Sequence, residues 1–292
     1  SGRSTPSCPN RLHQPPRGVA ANGRQVQRAA VVDVDLGLGE VEVQRTRAHA
    51  LLAQHLGQVE QHLDVALQLP LALGESVALG VLGPDDYDKL WTAELPFNDP
   101  KAMEIWDVFG DVLACTNDDA AGLSWQQATD MVVGGTAAFN IMGDWAAGYL
   151  TTTLGLEPGV GYGWAASPGT DGVFMWLSDA FGLPQGIQNR EATVEWLRFI
   201  GTAEAQDIFN PLKGSIAPHL DSDLSLYNAY LQSAAADWQN NRVVGSLAHG
   251  TVAKEAFASD FATVMEIYLA TGSAMNAANA AQAIATQVGL GQ

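Results

Sequence analysis

The chain has 292 residues, of which 47% are hydrophobic and 16% are charged, and its formal net charge at pH 7 is −18. This length suffices for one large domain or two smaller ones, and the composition is typical of a soluble globular protein. The excess of carboxylates argues against nucleic acid and anionic lipid surfaces as partners, and it suits a protein that handles a neutral or cationic ligand.

Several classes of site have no motif in this sequence. There is no phosphate-binding loop, no dinucleotide-binding glycine motif, no zinc-protease helix and no nucleophile elbow. His219 and His249 have no neighbour at metal-ligand spacing, so we expect neither a metal nor a cofactor. Cys8 and Cys115 allow at most one internal disulfide. No apolar run of about 18 residues predicts a membrane span, and without a visible signal peptide we expect that the beginning of the natural protein is missing.

Residues 1–70 differ in composition from everything that follows. They contain no Phe, Trp, Tyr or Lys, whereas all 9 Phe, 8 Trp and 6 Tyr come later. Alternation at residues 31–43 predicts a strand, and residues 49–69 predict an amphipathic helix. Two interpretations stay open, a genuine N-terminal extension or the translation of a wrong frame fused to a correct one. The missing aromatic residues favour the second, so we hypothesise that residues 1–70 have no evolved fold and are disordered or mistranslated.

After residue 70, predicted helices alternate with short strands. A short helix at 85–91 follows the Gly83-Pro84 pair, and Asn98-Asp99-Pro100 begins a longer one. Ser124 caps a helix that starts at Trp125 and ends near a glycine pair. The other predicted helices start at residue 145 or span 190–201, 203–209, 224–238, 251–270 and 277–288, and the predicted strands span 137–142, 161–166 and 174–177. This alternation predicts an α/β fold.

Tryptophan and polar residues lie at the ends of these predicted elements. Indole rings stack on the C–H faces of sugars, and carboxylate, ammonium and imidazole groups hydrogen-bond hydroxyls. Loops at strand ends are where α/β proteins bind ligands. Taken singly, each residue is better explained by core packing, a turn, solvation or a backbone hydrogen bond. The candidate ligand-binding residues are Trp125, Trp145, Asp179, Lys213 and His249.

A set of motifs occurs in order after residue 70. They are LGPDDYDKLW, SWQQATDMVVGGTAAFNIMGDWAAGYL, SDAFGLPQG, NREATVEWLRFIGTAEAQDIFNPLKGSIAPH and the alanine-rich terminal helices. Together they resemble the bacterial ABC-transporter extracellular solute-binding proteins for carbohydrates, of the family 1 type and most similar to glucose/mannose-binding members, over about residues 71–292. The resemblance implies cleft roles for Trp145 in M-G-D-W, for Asp179 in S-D-x-F-G-L-P, for Lys213 in K-G-S-I-x-P, for the late His249 and for Trp125.

The resemblance also implies an architecture, a periplasmic-binding-protein-like α/β fold of type II. Its C-terminal lobe would be largely complete and its N-terminal lobe mostly missing or replaced. Residues 71–178 would form the first part of the C-terminal lobe, 179–218 would return to the N-terminal lobe, and 219–292 would finish the C-terminal lobe. A mono- or oligosaccharide would bind between the lobes, and closure would present a surface to the membrane subunits of an ABC importer.

The implied protein is a periplasmic or extracellular binding protein without catalytic residues, and a lipid anchor in the full-length form is left open. One alternative is a glycoside hydrolase that uses carboxylates such as Asp144 and Asp179. Another is a non-functional fragment. Since half of the ligand contacts would come from the other lobe, we expect the chain as given to bind sugar weakly or not at all.

Overall fold

The computed structural model describes residues 63–114, 116 and 123–291. The predicted strand at 31–43, most of the predicted helix at 49–69, and both Cys8 and Cys115 lie outside these residues. No helix in the described ranges combines the length and the apolar character that a membrane crossing needs.

Helices dominate the described chain. In chain order the α-helices are α1 (Leu63–Leu82), α2 (Pro84–Trp91), α3 (Pro100–Leu113), α4 (Trp125–Val133), α5 (Trp145–Gly148), α6 (Arg190–Ile200), α7 (Ala203–Lys213), α8 (Ala229–Asn240), α9 (Glu255–Thr271) and α10 (Ala274–Gln287). A π-helical turn, Tyr149–Thr153, continues α5, and a 3₁₀ turn, Leu224–Leu226, precedes α8. The two strands are β1 (Val173–Trp176) and β2 (Arg242–Gly245).

Local capping explains why several helices begin where the sequence predicts. Pro100 follows Asp99, whose side chain accepts a hydrogen bond of 2.8 Å from the backbone N–H of Lys101. Ser124 and Gln127 form a reciprocal capping box at the start of α4. Each cap satisfies backbone donors that have no partner within the first helical turn.

Helix α1 crosses the break in composition. It contains Pro70 and ends at Leu82, and Gly83 takes the left-handed backbone (φ 73°) that separates it from Pro84 at the start of α2. The change in composition at residue 70 is therefore not a change in secondary structure. The division of the chain at residue 70 stays a prediction.

The hydrophobic core lies among α1, α2, α3, α9 and α10. Aromatic side chains from α2, α3 and α9 fill it, and Trp106 stacks on Phe261 with ring centroids 6.5 Å apart. Tyr268 anchors α9 by donating its hydroxyl proton to the carbonyl oxygen of Trp106 at 2.6 Å. Fully buried alanines line α10 against this core, where small side chains allow close helix packing: Ala277, Ala278, Ala281 and Ala285.

The sheet consists of β1 and β2, which pair in parallel with Val173 opposite Arg242 and Trp176 opposite Gly245. The predicted strand at 174–177 is confirmed with a shift of one residue. The predicted strands at 137–142 and 161–166 are wrong: no ladder partner lies beside either run in the described chain, and only an isolated bridge joins Pro158 to Tyr162. A short apolar run does not make a strand without a partner.

Three helix predictions needed correction at their ends. Helix α7 extends beyond residue 209 to Lys213, so this residue closes a helix instead of lying in a loop. Helix α8 begins after the Asn228 cap, and α9 begins only after Lys254. The helix-rich α/β class is observed, with less strand than the sequence predicts.

Helices α6 and α7 lie outside the core. No residue of α6 is buried, and Trp196 and Phe199 are 46% and 50% exposed. On α7, Ile208 and Leu212 are 60% and 63% exposed. Phe181 packs edge-on against Trp196, with ring centroids 5.1 Å apart, and the rest of this apolar surface is left uncovered by the described chain.

Candidate functional site

Four of the five candidate residues meet at the carboxyl edge of the two-stranded sheet: Trp145, Asp179, Lys213 and His249. Because β1 and β2 are parallel, their carboxyl ends point the same way, and Asp179 and the loop 246–249 follow them. Thr251 ties the two strand ends together. Its hydroxyl donates to the carbonyl oxygen of Trp176 at 2.9 Å and accepts from the backbone N–H of Ser246 at 2.7 Å.

Two glycines bring the end of α7 against α5. A Cβ atom on Gly148 would overlap the carbonyl oxygen of Lys213, and one on Gly214 would overlap the backbone of Gly148. Gly214 also has a φ of 90°, which favours glycine. The close approach places Lys213 beside the start of α5, which carries Asp144 and Trp145.

Trp145 is the aromatic residue of this cluster. The sequence predicts that it follows a strand, whereas the residues before it form no strand, and Trp145 opens α5. Its half-buried ring lies over Gly143, where a Cβ atom would overlap the ring carbons. The imidazole of His249 meets this indole edge-on, with centroids 5.5 Å apart and an interplanar angle of 64°.

Lys213 and Asp179 supply the charges. The Lys213 ammonium lies 2.9 Å from an Asp179 oxygen and donates to the Ser215 hydroxyl at 2.7 Å. The Asp179 side chain is 58% exposed, so the pair is screened by water and contributes little to stability. Burial raises the pKa of nearby Asp144 to about 6, while the charge of Lys213 lowers it and that of Asp179 raises it further.

His249 belongs to a hydrogen-bonded loop. Its Nδ1 lies 2.7 Å from the Ser246 hydroxyl oxygen, and its side chain is 27% exposed. Burial lowers the pKa of His249, and the negative charge of Asp179 opposes that shift. The net lowering of the pKa favours the neutral form of the imidazole that lies beside the indole of Trp145.

Glu75 is a further residue of this cluster, and the sequence analysis missed it. It lies on α1 and is 3% exposed. Its Oε1 accepts from the Ser246 hydroxyl at 2.7 Å, and its Oε2 accepts from the backbone N–H groups of Leu247 and Ala248 at 2.6 and 3.1 Å. Burial raises the pKa of Glu75 to about 7, against the lowering effect of the three hydrogen bonds. A carboxylate within the apolar run LPLALGESVALG was the available signal.

The fifth candidate, Trp125, lies elsewhere. It opens α4 and packs edge-on against Tyr149, with centroids 5.6 Å apart. Tyr149 in turn donates to Asp130 at 2.8 Å. Within the described chain, no hydrogen bond, ion pair or ring contact links Trp125 directly to the other four candidates. The structure thus connects Trp145, His249, Asp179 and Lys213 in one cluster without this residue.

The cluster combines an indole with a carboxylate, an ammonium group and an imidazole. This set can pack against an apolar ring face and exchange hydrogen bonds with hydroxyl groups. In the described residues, no group of three or more His, Cys, Asp or Glu side chains could hold a metal ion.

Comparison with known proteins finds similarity to solute-binding proteins. Residues 75–207 match the family model of bacterial extracellular solute-binding proteins. An uncharacterised ABC transporter extracellular-binding protein of Pyrococcus horikoshii is 36% identical over 206 residues, which are 70% of this chain and 46% of that protein. A probable sugar-binding periplasmic protein of Mesorhizobium japonicum is 28% identical over 218 residues, which are 69% of this chain and 52% of that protein.

A solved structure shows the same fold relationship. The bacterial solute receptor AcbH, whose crystal structures are described as revealing an exclusive preference for β-D-galactopyranose, superposes with a TM-score of 0.52 at 18% identity, over 84% of this chain and 63% of the receptor. At that identity the likeness concerns the fold alone. The chain spans about half the length of the two relatives described above. These matches confirm the resemblance of the chain to the bacterial extracellular solute-binding proteins that the sequence motifs indicated.

Proposed function

We propose that this chain is part of the sugar-binding subunit of an ABC carbohydrate importer. The observation that carries the proposal is the cluster at the carboxyl edge of the sheet, in which Trp145 lies beside His249 and the Lys213–Asp179 ion pair. The names of the relatives support it, since they include sugar-binding periplasmic proteins and a xylose/arabinose-binding protein of Haloferax volcanii, which is 29% identical over 133 residues.

In this proposal each side chain has a defined part in holding a mono- or oligosaccharide. The indole of Trp145 stacks on a C–H face of the sugar, a contact that contributes about 1–3 kcal/mol by analogy with other ring-stacking aromatics. Asp179 accepts and Lys213 donates hydrogen bonds to hydroxyls. Each such bond contributes only about 0.5–1.5 kcal/mol because it replaces a bond to water. Trp125 is a further contact that a complete cleft would bring to the ligand.

The proposed architecture has two lobes that close over the sugar. Residues 71–178 and 219–292 belong to the C-terminal lobe, and residues 179–218 return to the N-terminal lobe, which is mostly missing or replaced here. The uncovered apolar surface on α6 and α7 supports this division, since large exposed apolar patches mark interaction surfaces. The greater length of the relatives supports it as well. One-sided contact then makes sugar binding by this chain weak.

Location and partners follow from the same proposal. The relatives are named as extracellular or periplasmic proteins, and we extend that location to this chain, with a lipid anchor in the full-length protein left open. The partners are the sugar and the membrane subunits of the importer, and nucleic acid is not among them.

A carbohydrate-active enzyme is the second candidate function. The observation that favours it is the buried Asp144 with its raised pKa near the exposed Asp179, since glycosidases use a protonated and an ionised carboxyl group. Incubation with aryl glycosides and oligosaccharides, followed by detection of released sugar, distinguishes the two functions. We expect no release, because the proposed role is binding without turnover, and catalytic release that is lost in Asp144→Asn would favour the enzyme.

Saturation-transfer NMR on the 292-residue chain tests the binding function directly. The sugars are glucose, mannose, galactose, xylose, arabinose and common disaccharides, each in millimolar excess, and an acyclic polyol serves as the control. We expect transfer to the C–H protons of at least one sugar and none to the polyol. Absence of transfer to every sugar would contradict the proposal. Micromolar binding measured by calorimetry would contradict the proposed absence of most of the N-terminal lobe.

A further inference from the structure

One buried carboxylate, that of Glu75, accepts hydrogen bonds from the loop that carries His249. Glu75 projects from α1, in the hydrophobic core, and binds three consecutive residues of the loop through their polar groups. Tyr87 of α2 adds a second buried contact by donating to the carbonyl oxygen of Gly245 at 2.9 Å. The position of His249 is thus set by the core and not by the exposed surface.

The hydrogen bonds of Glu75 constrain where its neighbours carry protons. Its Oε2 accepts from two backbone N–H groups and its Oε1 faces the Ser246 hydroxyl. When Glu75 is ionised, the single hydroxyl proton of Ser246 must point to Oε1, since a carboxylate only accepts. The Ser246 oxygen then has only lone pairs left for other neighbours.

Two groups of His249 use those lone pairs. Its backbone N–H donates to the Ser246 oxygen at 3.2 Å, and its Nδ1 lies 2.7 Å from the same oxygen. Since the Ser246 proton is engaged by Glu75, the short contact at Nδ1 requires a proton on Nδ1. In a neutral imidazole the other nitrogen, Nε2, is then an unprotonated acceptor.

We propose that Glu75, when ionised, and Ser246 are positioning residues that hold neutral His249 as its Nδ1–H tautomer, so that Nε2 accepts a hydrogen bond from a ligand hydroxyl. Together with Asp179, the site then presents two acceptors and one donor, Lys213, around the indole of Trp145. This favours ligands with at least two free hydroxyl donors on neighbouring positions. The role of Nε2 toward a sugar rests on the proposed function, whereas the tautomer itself does not.

Two-bond ¹H–¹⁵N correlation NMR of the full chain at about pH 8 measures the tautomer directly, with His249→Asn used to assign the signals. At this pH Glu75, with its pKa of about 7, is ionised and His249 is neutral. His219 is an internal reference, because its Nε2 lies 2.8 Å from the carbonyl oxygen of Gly201 and must carry the proton. We expect the Nδ1–H pattern for His249 and the Nε2–H pattern for His219.

Two variants extend the test. In Glu75→Gln the amide oxygen keeps the two backbone donors, and the NH₂ group donates to Ser246, whose proton turns to Nδ1 and shifts His249 to the Nε2–H form. Ser246→Ala removes the acceptor at Nδ1 and leaves Oε1 of Glu75 4.0 Å away, beyond hydrogen-bond distance, so the tautomer shifts the same way. This variant keeps the proposal testable if the first one does not fold. Ser215→Ala, a control that touches only Lys213 in this cluster, leaves His249 unchanged. An Nε2–H pattern in the unmodified chain, or no change in Ser246→Ala, would overturn the proposal. If the unmodified chain shows the Nδ1–H tautomer but binds no sugar, only the proposed function is overturned.

Discussion

The helical core and the α6–α7 pair contain similar residues in opposite environments. Trp91 and Trp106 are 3% and 6% exposed, whereas Trp196 on α6 is 46% exposed. All three residues lie on regular helices, so local sequence determines the helix but not its burial. Burial requires a packing partner, and most helical stability in proteins comes from that packing. The contrast agrees with the proposal that α6 and α7 belong to a lobe whose other parts are not among the described residues.

Truncation of one phenylalanine in each region tests this contrast most strongly. Phe257 is fully buried against Phe97 and Phe261, and Phe257→Ala should lower the free energy of unfolding by about 3–5 kcal/mol. Phe199 is 50% exposed, so Phe199→Ala should lower the free energy of unfolding by less than about 1 kcal/mol. Chemical denaturation measures both values. Equal losses would show that α6 is packed as tightly as the core.

The buried carboxylate of the core predicts a pH dependence of stability. Folding raises the pKa of Glu75 from 4.5 to about 7, so the folded state binds the proton more tightly than the unfolded state. This group therefore makes the protein less stable as the pH rises from about 4.5 to 7, by up to about 3 kcal/mol. Denaturation at several pH values should show this decrease, and the slope should become smaller in Glu75→Gln. An identical slope in both proteins would mean that Glu75 keeps its ordinary pKa.

The contact between α5 and α7 links the core-supported site to the outer helices. Gly148→Ala introduces a Cβ atom that overlaps the carbonyl oxygen of Lys213, and it should cost about 1–3 kcal/mol of stability. Gly182→Ala is the matched control, because no atom lies within 4 Å of its added Cβ. Thermal unfolding compares the two variants. A neutral Gly148→Ala would mean that α5 and α7 are not held in close contact.

The smallest effect on stability is expected at the exposed ion pair. Lys213→Met removes the partner of Asp179 and should change the free energy of unfolding by less than about 1 kcal/mol, since the Asp179 side chain is 58% exposed. The same change should nevertheless weaken saturation transfer to sugar. A large loss of stability would reassign Lys213 to a structural role.

The sequence predicts those features that depend on neighbouring residues. Asp99 and Ser124 cap helices through groups one turn away, so their positions can be read locally. The sequence does not predict β2, because Arg242–Gly245 is a strand only through its pairing with β1. It also misses Glu75, whose partners lie more than 170 residues further along the chain. The predictions of strands at 137–142 and 161–166 are wrong because no strand pairs with either segment in the described chain.

The candidate site follows the same rule. Residue types and motifs indicated Trp145, Asp179, Lys213 and His249, and the structure brings these side chains together through the parallel strands and the contact between Gly148 and Gly214. The hydrogen bond between Ser246 and His249 could not be predicted, because its direction depends on Glu75, a buried residue of α1. The assignment of these residues to sugar binding stays a proposal.

A comparison of two tryptophans tests the central claim most directly. Saturation transfer from the 292-residue chain to its best sugar is measured in Trp145→Ala, at the candidate site, and in Trp196→Ala, on the exposed face of α6. We expect the first change to abolish the transfer, because the indole supplies the stacking surface, and the second to leave it unchanged. Retained transfer in a folded Trp145→Ala protein, with loss in Trp196→Ala, would place the sugar on α6 and contradict the proposed site.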